Sequence, residues 1–166
     1  MATASRNLSE YSKENTTNNA DVKIGIVVSE WNSSVTFNLR DGAIQALLDN
    51  GLTEQNIQIH YVPGAFELPL ASQYLFEFTD VDGIVAIGVV IQGETKHFDY
   101  VCEGVTQGIK DVNLKYNKPV AFCVLTDNTI QQSIDRSGGK HGNKGIECAV
   151  ACLKMIHLKK TLVNEM

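Results

Sequence analysis

Four clusters of chemically capable residues each follow an apolar run that predicts a β-strand. They combine one indole ring, carboxylates, a histidine and an arginine, and they are Glu30-Trp31-Asn32, Pro63 to Glu67, Gly93 to His97, and Arg136 to Lys144. Because the carboxyl ends of parallel strands lie along one edge of an open α/β sheet, segments that are distant in sequence can meet there around one ligand. The clusters therefore predict a composite site for an anionic small molecule.

His97 is the candidate for acid–base chemistry. It falls at the predicted start of a long helix, where the positive end of the helix dipole disfavours an imidazolium ring. A neutral ring can accept a proton from a reacting group. An exposed histidine at a helix end with no function is the structural alternative.

The turn before this helix is a candidate phosphate site. Gly93, Glu94 and Thr95 can direct free backbone N–H groups outward, which is how many proteins hold a phosphate at a helix start. The Glu94 carboxylate would repel a phosphate, so the hypothesis requires the backbone and not the Glu94 side chain to face the ligand. A simple turn with an acidic residue that complements the helix dipole is the alternative.

Arg136 ends a predicted short helix, and its planar guanidinium suits a phosphate better than a lysine does. Compensation of the helix dipole is the alternative explanation. Lys140 and Lys144 lie in a glycine-rich segment that resembles a phosphate-binding P-loop. The G-x-x-x-x-G-K-[ST] spacing is not met, however, and the segment follows a helix instead of a strand. A site for a nucleoside triphosphate is therefore not predicted.

Three further side chains could bind an organic ligand. The indole of Trp31 can stack on a flat heterocycle or merely cover the edge of the sheet. Glu67 can accept hydrogen bonds from a polyol or a ring N–H, or complement a helix dipole. Phe122 lies within a predicted strand, where core packing is its simplest explanation.

Composition excludes several classes of function. The 166 residues carry a net charge of -5 with a pI near 5.3, which is opposite to the basic surface that nucleic acids and anionic membranes require. The apolar runs are far shorter than the ~20 residues that span a bilayer, and the first twenty residues lack the apolar core of a secretory signal. We therefore expect a cytoplasmic protein.

The four cysteines are expected to be reduced core residues. Cys148 and Cys152 are one helical turn apart on a predicted buried face, and no C-x-x-C spacing occurs. A zinc site built from these two thiols and His157 would lack a fourth ligand. Neither a metal nor an organic cofactor is predicted.

Strands and helices alternate along the chain after a polar arm, residues 1–20, that has no hydrophobic period and is not expected to make core contacts of its own. The predicted strands are Val22 to Val28, Ile57 to Val62, Gly83 to Ile91 and Pro119 to Leu125. The first predicted helix has Ser33 or Ser34 as its N-cap, and the second begins near Phe66 with Pro69 in its first turn. The third begins after Thr95, and the fourth opens with a capping box of Thr129 and Gln132. A turn over Gly138 to Asn143 leads to the last helix, which runs from near Asn143 to near Leu158.

This alternation requires right-handed parallel crossovers. It predicts a flavodoxin-like α/β fold, a three-layer helix-sheet-helix sandwich around a four-stranded parallel sheet. Residues 21–166 are expected to form a single catalytic domain.

Four segments together resemble the lumazine synthase family in both order and spacing. They are Val62 to Pro69, Gly88 to Tyr100, Pro119 to Thr126 and Asp135 to Gly145, and the resemblance extends from about Lys23 to Leu158. It implies condensation of 5-amino-6-(D-ribitylamino)uracil with 3,4-dihydroxy-2-butanone 4-phosphate. The products are 6,7-dimethyl-8-ribityllumazine, phosphate and water, and no cofactor takes part.

The resemblance also implies a role for each candidate residue. Trp31 would stack on the pyrimidinedione, Ala65, Phe66 and Glu67 would hold the ribityl chain, and the backbone of Val89, Val90 and Ile91 would contact the ring. Gly93, Glu94, Thr95 and Arg136 would bind the butanone phosphate, and His97 would be the acid–base residue. Phe122 and Lys144 would also bind the pyrimidinedione or the ribityl chain. Together with Arg136 they would come from a neighbouring subunit, because family sites lie between subunits of a pentamer, and family members form pentamers, decamers or sixty-subunit icosahedral shells.

The sequence departs from the family pattern at three positions. Trp31 stands where phenylalanine is common, Gln92 replaces a frequent arginine, and His141 stands where alanine is common. The indole preserves stacking and is compatible with riboflavin-like ligands, whereas the loss of a charge at Gln92 weakens the expected grip on phosphate.

Two alternatives from other functional classes remain open on the residues alone. A flavin carrier of the flavodoxin type should have a phosphate loop after the first strand, and Ser29 to Ser34 offers hydroxyls but no glycine there. A response-regulator-like domain needs an acidic pair at the same place, which Glu30 alone does not supply.

Overall fold

A four-stranded parallel sheet forms the centre of the molecule. The structure, a computed structural model, describes residues 7–11 and 19–165. The strands run in the spatial order β2-β1-β3-β4. Their bounds are β1 (Ile24–Ser29), β2 (Ile57–Val62), β3 (Gly83–Ile91) and β4 (Val120–Asp127).

In the described part of the chain, four α-helices cover the two faces of this sheet: α1 (Ser33–Asp49), α2 (Leu68–Phe78), α3 (His97–Tyr116) and α5 (Lys144–Asn164). A short helix, α4 (Ile130–Arg136), follows β4. A small antiparallel hairpin, β5 (Ser137–Gly139) with β6 (Gly142–Asn143), joins α4 to α5. The arrangement confirms the predicted three-layer α/β sandwich. Among the described residues, no helix has the length and apolarity needed to span a bilayer.

Two hydrophobic clusters hold the layers together, one on each face of the sheet. One joins β1, β3 and β4 to α1 and α5 through residues such as Leu39, Leu47 and Leu153. The other joins the opposite face to α2 and α3 through Leu68 and Val105, among others. Both faces of the central strands β1 and β3 are covered, which is why these two strands read as continuous apolar runs. The edge strand β2 is partly exposed, and its sequence alternates.

Helix starts differ from the prediction in two places. Asn32, and not Ser33 or Ser34, is the N-cap of α1, and it adopts the left-handed conformation with φ 58°. Asparagine tolerates this conformation better than most residues. Before α2, a 3₁₀ turn at Ala65–Glu67 replaces the expected first helical turn. Pro69 lies in the first turn of α2, as predicted.

The carboxyl-terminal third of the chain is more regular than predicted. Strand β4 continues to Asp127, which pairs with Ile91 of β3 and whose carboxylate accepts a buried hydrogen bond of 2.8 Å from the Ser133 hydroxyl. The predicted capping box of Thr129 and Gln132 is present. The glycine-rich segment predicted as a turn is the β5–β6 hairpin, and α5 ends at Asn164, beyond the predicted Leu158.

The polar arm makes contacts that the sequence analysis did not expect. Leu8 is only 4% exposed, and Tyr11 packs against the cluster that includes α1 and α5. The amide of Asn19 donates to the carbonyl of Asn50. The rest of the arm lies outside the described residues, so the division into an arm of residues 1–20 and a domain of residues 21–166 stays a prediction.

Candidate active site

A pocket of about 420 Å³ opens at the carboxyl ends of β1, β2 and β3. It is formed by the loop after β1, the turn after β2, the end of β3 and the first turn of α3. The lining residues are Trp31, Asn32, Gly64, Ala65, Phe66, Glu67, Val89, Val90, Ile91, His97 and Val101. Eight of the predicted site residues therefore surround one cavity, at the sheet edge where parallel topology places ligands.

At the end of β3, backbone groups that do not pair with β1 face this pocket. Its pairing with β4 continues to Ile91, opposite Asp127, whereas its pairing with β1 ends at Ile87. Residues 89–91 consequently extend beyond the end of the pairing with β1. Backbone N–H and C=O groups on such an edge are available to a ligand that carries its own donors and acceptors.

Trp31 stands at the mouth of the pocket with its side chain 72% exposed. The loop that carries it is fixed by two backbone hydrogen bonds to the segment after β2. Glu30 donates to the carbonyl of Val62 over 2.8 Å, and Trp31 donates to the carbonyl of Pro63 over 3.3 Å. The indole is therefore held on an ordered loop while one face remains free to stack.

Close backbone packing sets the turn after β2. The Glu67 carboxylate accepts a hydrogen bond of 3.0 Å from the Gly64 N–H and so closes the turn. A Cβ on Gly88 would lie 3.1 Å from Ala65 Cβ, and a Cβ on Gly104 would lie 2.8 Å from the Phe66 ring. Glycine at these two positions lets the turn sit directly on β3 and α3.

His97 is the first residue of α3, and its side chain is exposed at the pocket. Its backbone N–H points to the Thr95 hydroxyl at 3.4 Å. Gly93, Glu94 and Thr95 form the exposed loop between β3 and this helix, and nothing lies within 4 Å of a Cβ built on Gly93. The loop is therefore open to a ligand beside the imidazole.

Three predicted site residues lie away from this pocket. Phe122 lines a separate groove beside α3, with Thr106 and Leu114 among its neighbours. The Arg136 guanidinium donates to the carbonyl of Gln132 in its own helix over 2.9 Å. Lys144 forms a partly buried ion pair of 2.7 Å with Glu147. Within one chain these side chains do not reach the cavity that holds His97.

Comparison with known proteins decides the family. Residues 21–160 match the family model described as 6,7-dimethyl-8-ribityllumazine synthase. Proteins of that name from Flavobacterium johnsoniae and Christiangramia forsetii are each 55% identical to this chain, over 96% of its length and 84% and 96% of theirs. The protein of that name from Porphyromonas gingivalis is 51% identical over 96% of this chain and 99% of its own.

The chain belongs to the 6,7-dimethyl-8-ribityllumazine synthase family.

It is accordingly an enzyme of riboflavin biosynthesis. It condenses 5-amino-6-(D-ribitylamino)uracil with 3,4-dihydroxy-2-butanone 4-phosphate, and it releases 6,7-dimethyl-8-ribityllumazine, phosphate and water. Membership in the lumazine synthase family decides against the flavin carrier and the response-regulator-like domain. Both alternatives share the fold class, which is why the residues alone left them open.

Sequence reasoning did not assign three of the residues that line the pocket. Asn32 and Gly64 were noted in their clusters but given no role, although Asn32 sets the backbone turn below the indole. Val101 follows His97 by four residues, so the two lie on one face of α3. That spacing was the available signal for Val101.

The cysteines do not contribute to the pocket. Cys123, Cys148 and Cys152 are buried in the core, and burial raises the pKa of the Cys152 thiol to about 12. Within residues 7–11 and 19–165, no three His, Cys, Asp or Glu side chains converge as a metal site.

Proposed function

We propose that the pocket binds the ribitylaminouracil substrate and that a neighbouring subunit completes the site for butanone phosphate. In this arrangement Trp31 stacks on the pyrimidinedione, while the overhanging backbone of residues 89–91 pairs with the ring's donors and acceptors. Ala65, Phe66 and Glu67 hold the ribityl chain. The open β3 edge and the exposed indole on either side of one cavity support this orientation.

The butanone phosphate binds beside His97. The backbone of Gly93 and Glu94 and the Thr95 hydroxyl face its phosphate at the start of α3, where a helix dipole favours an anion. The Glu94 carboxylate is exposed and free to point into solvent. Arg136 of the neighbouring subunit supplies the positive charge that these groups lack.

His97 transfers protons in this mechanism. Imine formation requires proton removal from the attacking amine and proton delivery to the departing carbonyl oxygen, and phosphate loss requires a further proton shift. An imidazole at the pocket wall can serve each step by exchanging one proton. Alignment of the two substrates contributes the larger part of the rate, since effective alignment can lower a barrier by ~7–11 kcal/mol.

One observation in particular supports a site that is shared between subunits. The pocket lining contains an imidazole and a carboxylate, but no lysine or arginine occurs among its described residues. A phosphate that carries close to two negative charges needs such a cation when it leaves bulk water. Arg136 is bound to its own helix away from this cavity. Lys96 is exposed between Thr95 and His97, but its ammonium lacks the planar fork of a guanidinium. We infer that Arg136 of another copy of the chain binds the phosphate, and that Phe122 and Lys144 of that copy complete the site.

Exposed apolar side chains support assembly. Phe66, Tyr100 and Leu114 are each more than 60% exposed, and they lie at the pocket or along α3. Large exposed apolar groups that are grouped on a surface are characteristic of subunit interfaces. We infer a homo-pentamer, with a sixty-subunit icosahedral shell as the larger form, acting in the cytoplasm without a metal or organic cofactor.

The direct test is an assay of the purified protein with both substrates, in which phosphate release and the lumazine absorbance are followed together. Light scattering after size-exclusion chromatography gives the subunit number of the active fraction. We expect equal amounts of both products from an oligomeric fraction and none from any monomer. A monomer that turns over at the rate of the oligomer would contradict the shared site.

A further inference from the structure

We infer that the amino-terminal arm positions Arg136 for the binding of butanone phosphate. The relevant part of the arm is residues 7–9, which lie against the β5–β6 hairpin. This inference rests on the proposed role of Arg136 and extends it to a segment that contributes no group to the pocket itself.

Two hydrogen bonds attach the arm to the hairpin, and the arm donates one of them and accepts the other. The Leu8 N–H donates to the carbonyl of His141 over 2.8 Å, and the Ser9 hydroxyl accepts from the Asn143 N–H over 3.0 Å. Leu8 itself is 4% exposed. A side chain on Gly142 would collide with the arm, because a Cβ there would lie 2.1 Å from the Asn7 amide oxygen.

The hairpin connects directly to both cationic residues. Arg136 immediately precedes β5, and Lys144 immediately follows β6. The hairpin also returns onto the last turn of α4, because the His141 N–H donates to the carbonyl of Asp135 over 2.9 Å. A shift of the hairpin therefore moves the last turn of α4, which carries Arg136, whereas Lys144 is held on α5 by its ion pair with Glu147.

Asn143 connects the arm to the rest of the domain. Its side-chain amide donates to the carbonyl of Asn38 in α1 over 2.8 Å, and its side-chain oxygen accepts from the Gly145 N–H at the start of α5 over 2.8 Å. Ser9 supplies the partner for the remaining backbone N–H. Asn143 is buried, so loss of Ser9 leaves a buried donor without a partner and favours displacement of the hairpin.

The experiment compares Ser9→Ala with Ser9→Thr, which keeps the hydroxyl, and with Thr161→Ala, which removes an exposed hydroxyl from α5. Steady-state assays measure kcat and the KM of each substrate separately. We expect Ser9→Ala to raise the KM for butanone phosphate about 3- to 10-fold, the effect of losing one hydrogen bond to a buried amide. Its kcat and its KM for the pyrimidine should stay near wild type, as should all constants of Ser9→Thr and Thr161→Ala.

A double-mutant cycle tests whether the arm acts through the guanidinium. In an Arg136→Ala background, Ser9→Ala should have no further effect on the KM for butanone phosphate, because the group it positions is gone. Equal losses in both backgrounds, or equal changes in both substrates, would overturn the inference in favour of a general effect on folding. An unchanged KM in Ser9→Ala would overturn it as well.

Different results would contradict the arm inference and the proposed role of Arg136. If Arg136→Ala raises the KM for butanone phosphate and Ser9→Ala does not, the arm inference is wrong while the proposed function stands. If Arg136→Ala leaves that KM unchanged, the role of Arg136 is wrong and the arm inference falls with it. Deletion of residues 1–9 is a second probe, and it should raise the same KM by at least the factor seen for Ser9→Ala.

Discussion

The two ends of the proposed site are held in different ways. The pocket end is built on the sheet itself, where β1, β2 and β3 stop at one edge and close backbone contacts at Gly88 and Gly104 fix the turn after β2. The cationic end depends on a seven-residue helix and a short hairpin. Arg136 and Lys144 are both bound within their own chain there, to the Gln132 carbonyl and to Glu147.

The pocket end is therefore preorganised within one chain, whereas the proposed role of the cationic end depends on assembly. The pocket can receive the planar substrate within one chain, because its walls are already in place. In the proposed site a neighbour brings the cationic end to the pocket, and Arg136 exchanges the carbonyl of its own helix for the phosphate. Mutations at the pocket end should therefore change turnover and stability, whereas mutations at the cationic end should change the binding of one substrate.

The largest expected effect is that of His97→Ala. We expect kcat to fall by about 10²-fold, the lower end of the range for a positioned acid–base residue, while turnover stays measurable because alignment of the substrates is retained. His60→Ala, at an exposed histidine on β2, is the matched control and should keep wild-type kcat. Normal binding of both substrates with no turnover at all would contradict the dominant role of alignment.

Arg136→Ala should act on binding. The KM for butanone phosphate is expected to rise about 10- to 100-fold, which corresponds to charge-assisted hydrogen bonds of ~1.5–3 kcal/mol. The KM for the pyrimidine should not change. The control is Lys140→Ala, an exposed neighbour whose ammonium pairs with Asp135 over 3.1 Å. A similar rise in that control would mean that general positive charge, and not the guanidinium, holds the phosphate.

Gly88→Ala tests the rigidity of the pocket end. The added methyl group would lie 2.9 Å from Leu68 Cδ1 and 3.1 Å from Ala65 Cβ, so the turn after β2 must shift. Overpacking of this kind lowers the free energy of unfolding by ~1–3 kcal/mol. Urea unfolding measures it, with Gly93→Ala as control because nothing lies within 4 Å of a Cβ there. Equal stability of the two variants would show that the turn adapts freely.

The smallest expected effect is a dependence of stability on pH at His157. Burial, with a smaller contribution from the Lys160 charge, lowers the pKa of His157 from its ordinary 6.5. The unfolded chain then binds the proton more readily than the folded chain, so stability is complete above pH 6.5 and is lost as pH falls through the lowered pKa. Thermal unfolding of wild type and His157→Gln at pH 5.5 and 7.5 checks this.

His157→Gln should lose less stability on acidification than wild type does. This variant also separates stability from catalysis, because His157 bonds to Asn19 and is not among the residues that line the pocket. An acid loss of turnover that persists unchanged in His157→Gln belongs to the site. An identical thermal shift in both proteins would contradict the assignment of the stability effect to His157.

The sheet and the pocket end were predictable for a physical reason. Buried parallel strands need continuous apolar runs, and parallel topology places whatever follows them at one edge. Trp31 and His97 therefore came together as expected. Local details could not be predicted because they depend on tertiary contacts. The left-handed Asn32 cap lies in a loop bonded to the segment after β2, and β4 reaches Asp127 by pairing with the end of β3.

For the cationic end, the sequence predicted the chemistry of the side chains but not their position. Arg136 could be recognised as a phosphate ligand, but no periodicity reveals which surface a short helix and a glycine-rich hairpin will occupy. The burial of Leu8 was not predicted, because a single apolar residue in a polar arm forms no periodic pattern. Its backbone N–H bonds to the carbonyl of His141, a residue that is far away in sequence. Family resemblance, and not spacing, supplied the expectation that a neighbour provides Arg136.

The most direct test of a shared site is complementation between two impaired variants, assayed at a butanone phosphate concentration well below the KM of Arg136→Ala. His97→Ala and Arg136→Ala subunits carrying different tags are co-expressed, and mixed oligomers are isolated by both tags and checked by native mass spectrometry. Random mixing leaves both residues intact in about a quarter of sites formed between subunits, so activity per site should rise toward that fraction of wild type. Mixed oligomers that are no more active than the two variants alone would contradict a site that takes His97 from one subunit and Arg136 from the next.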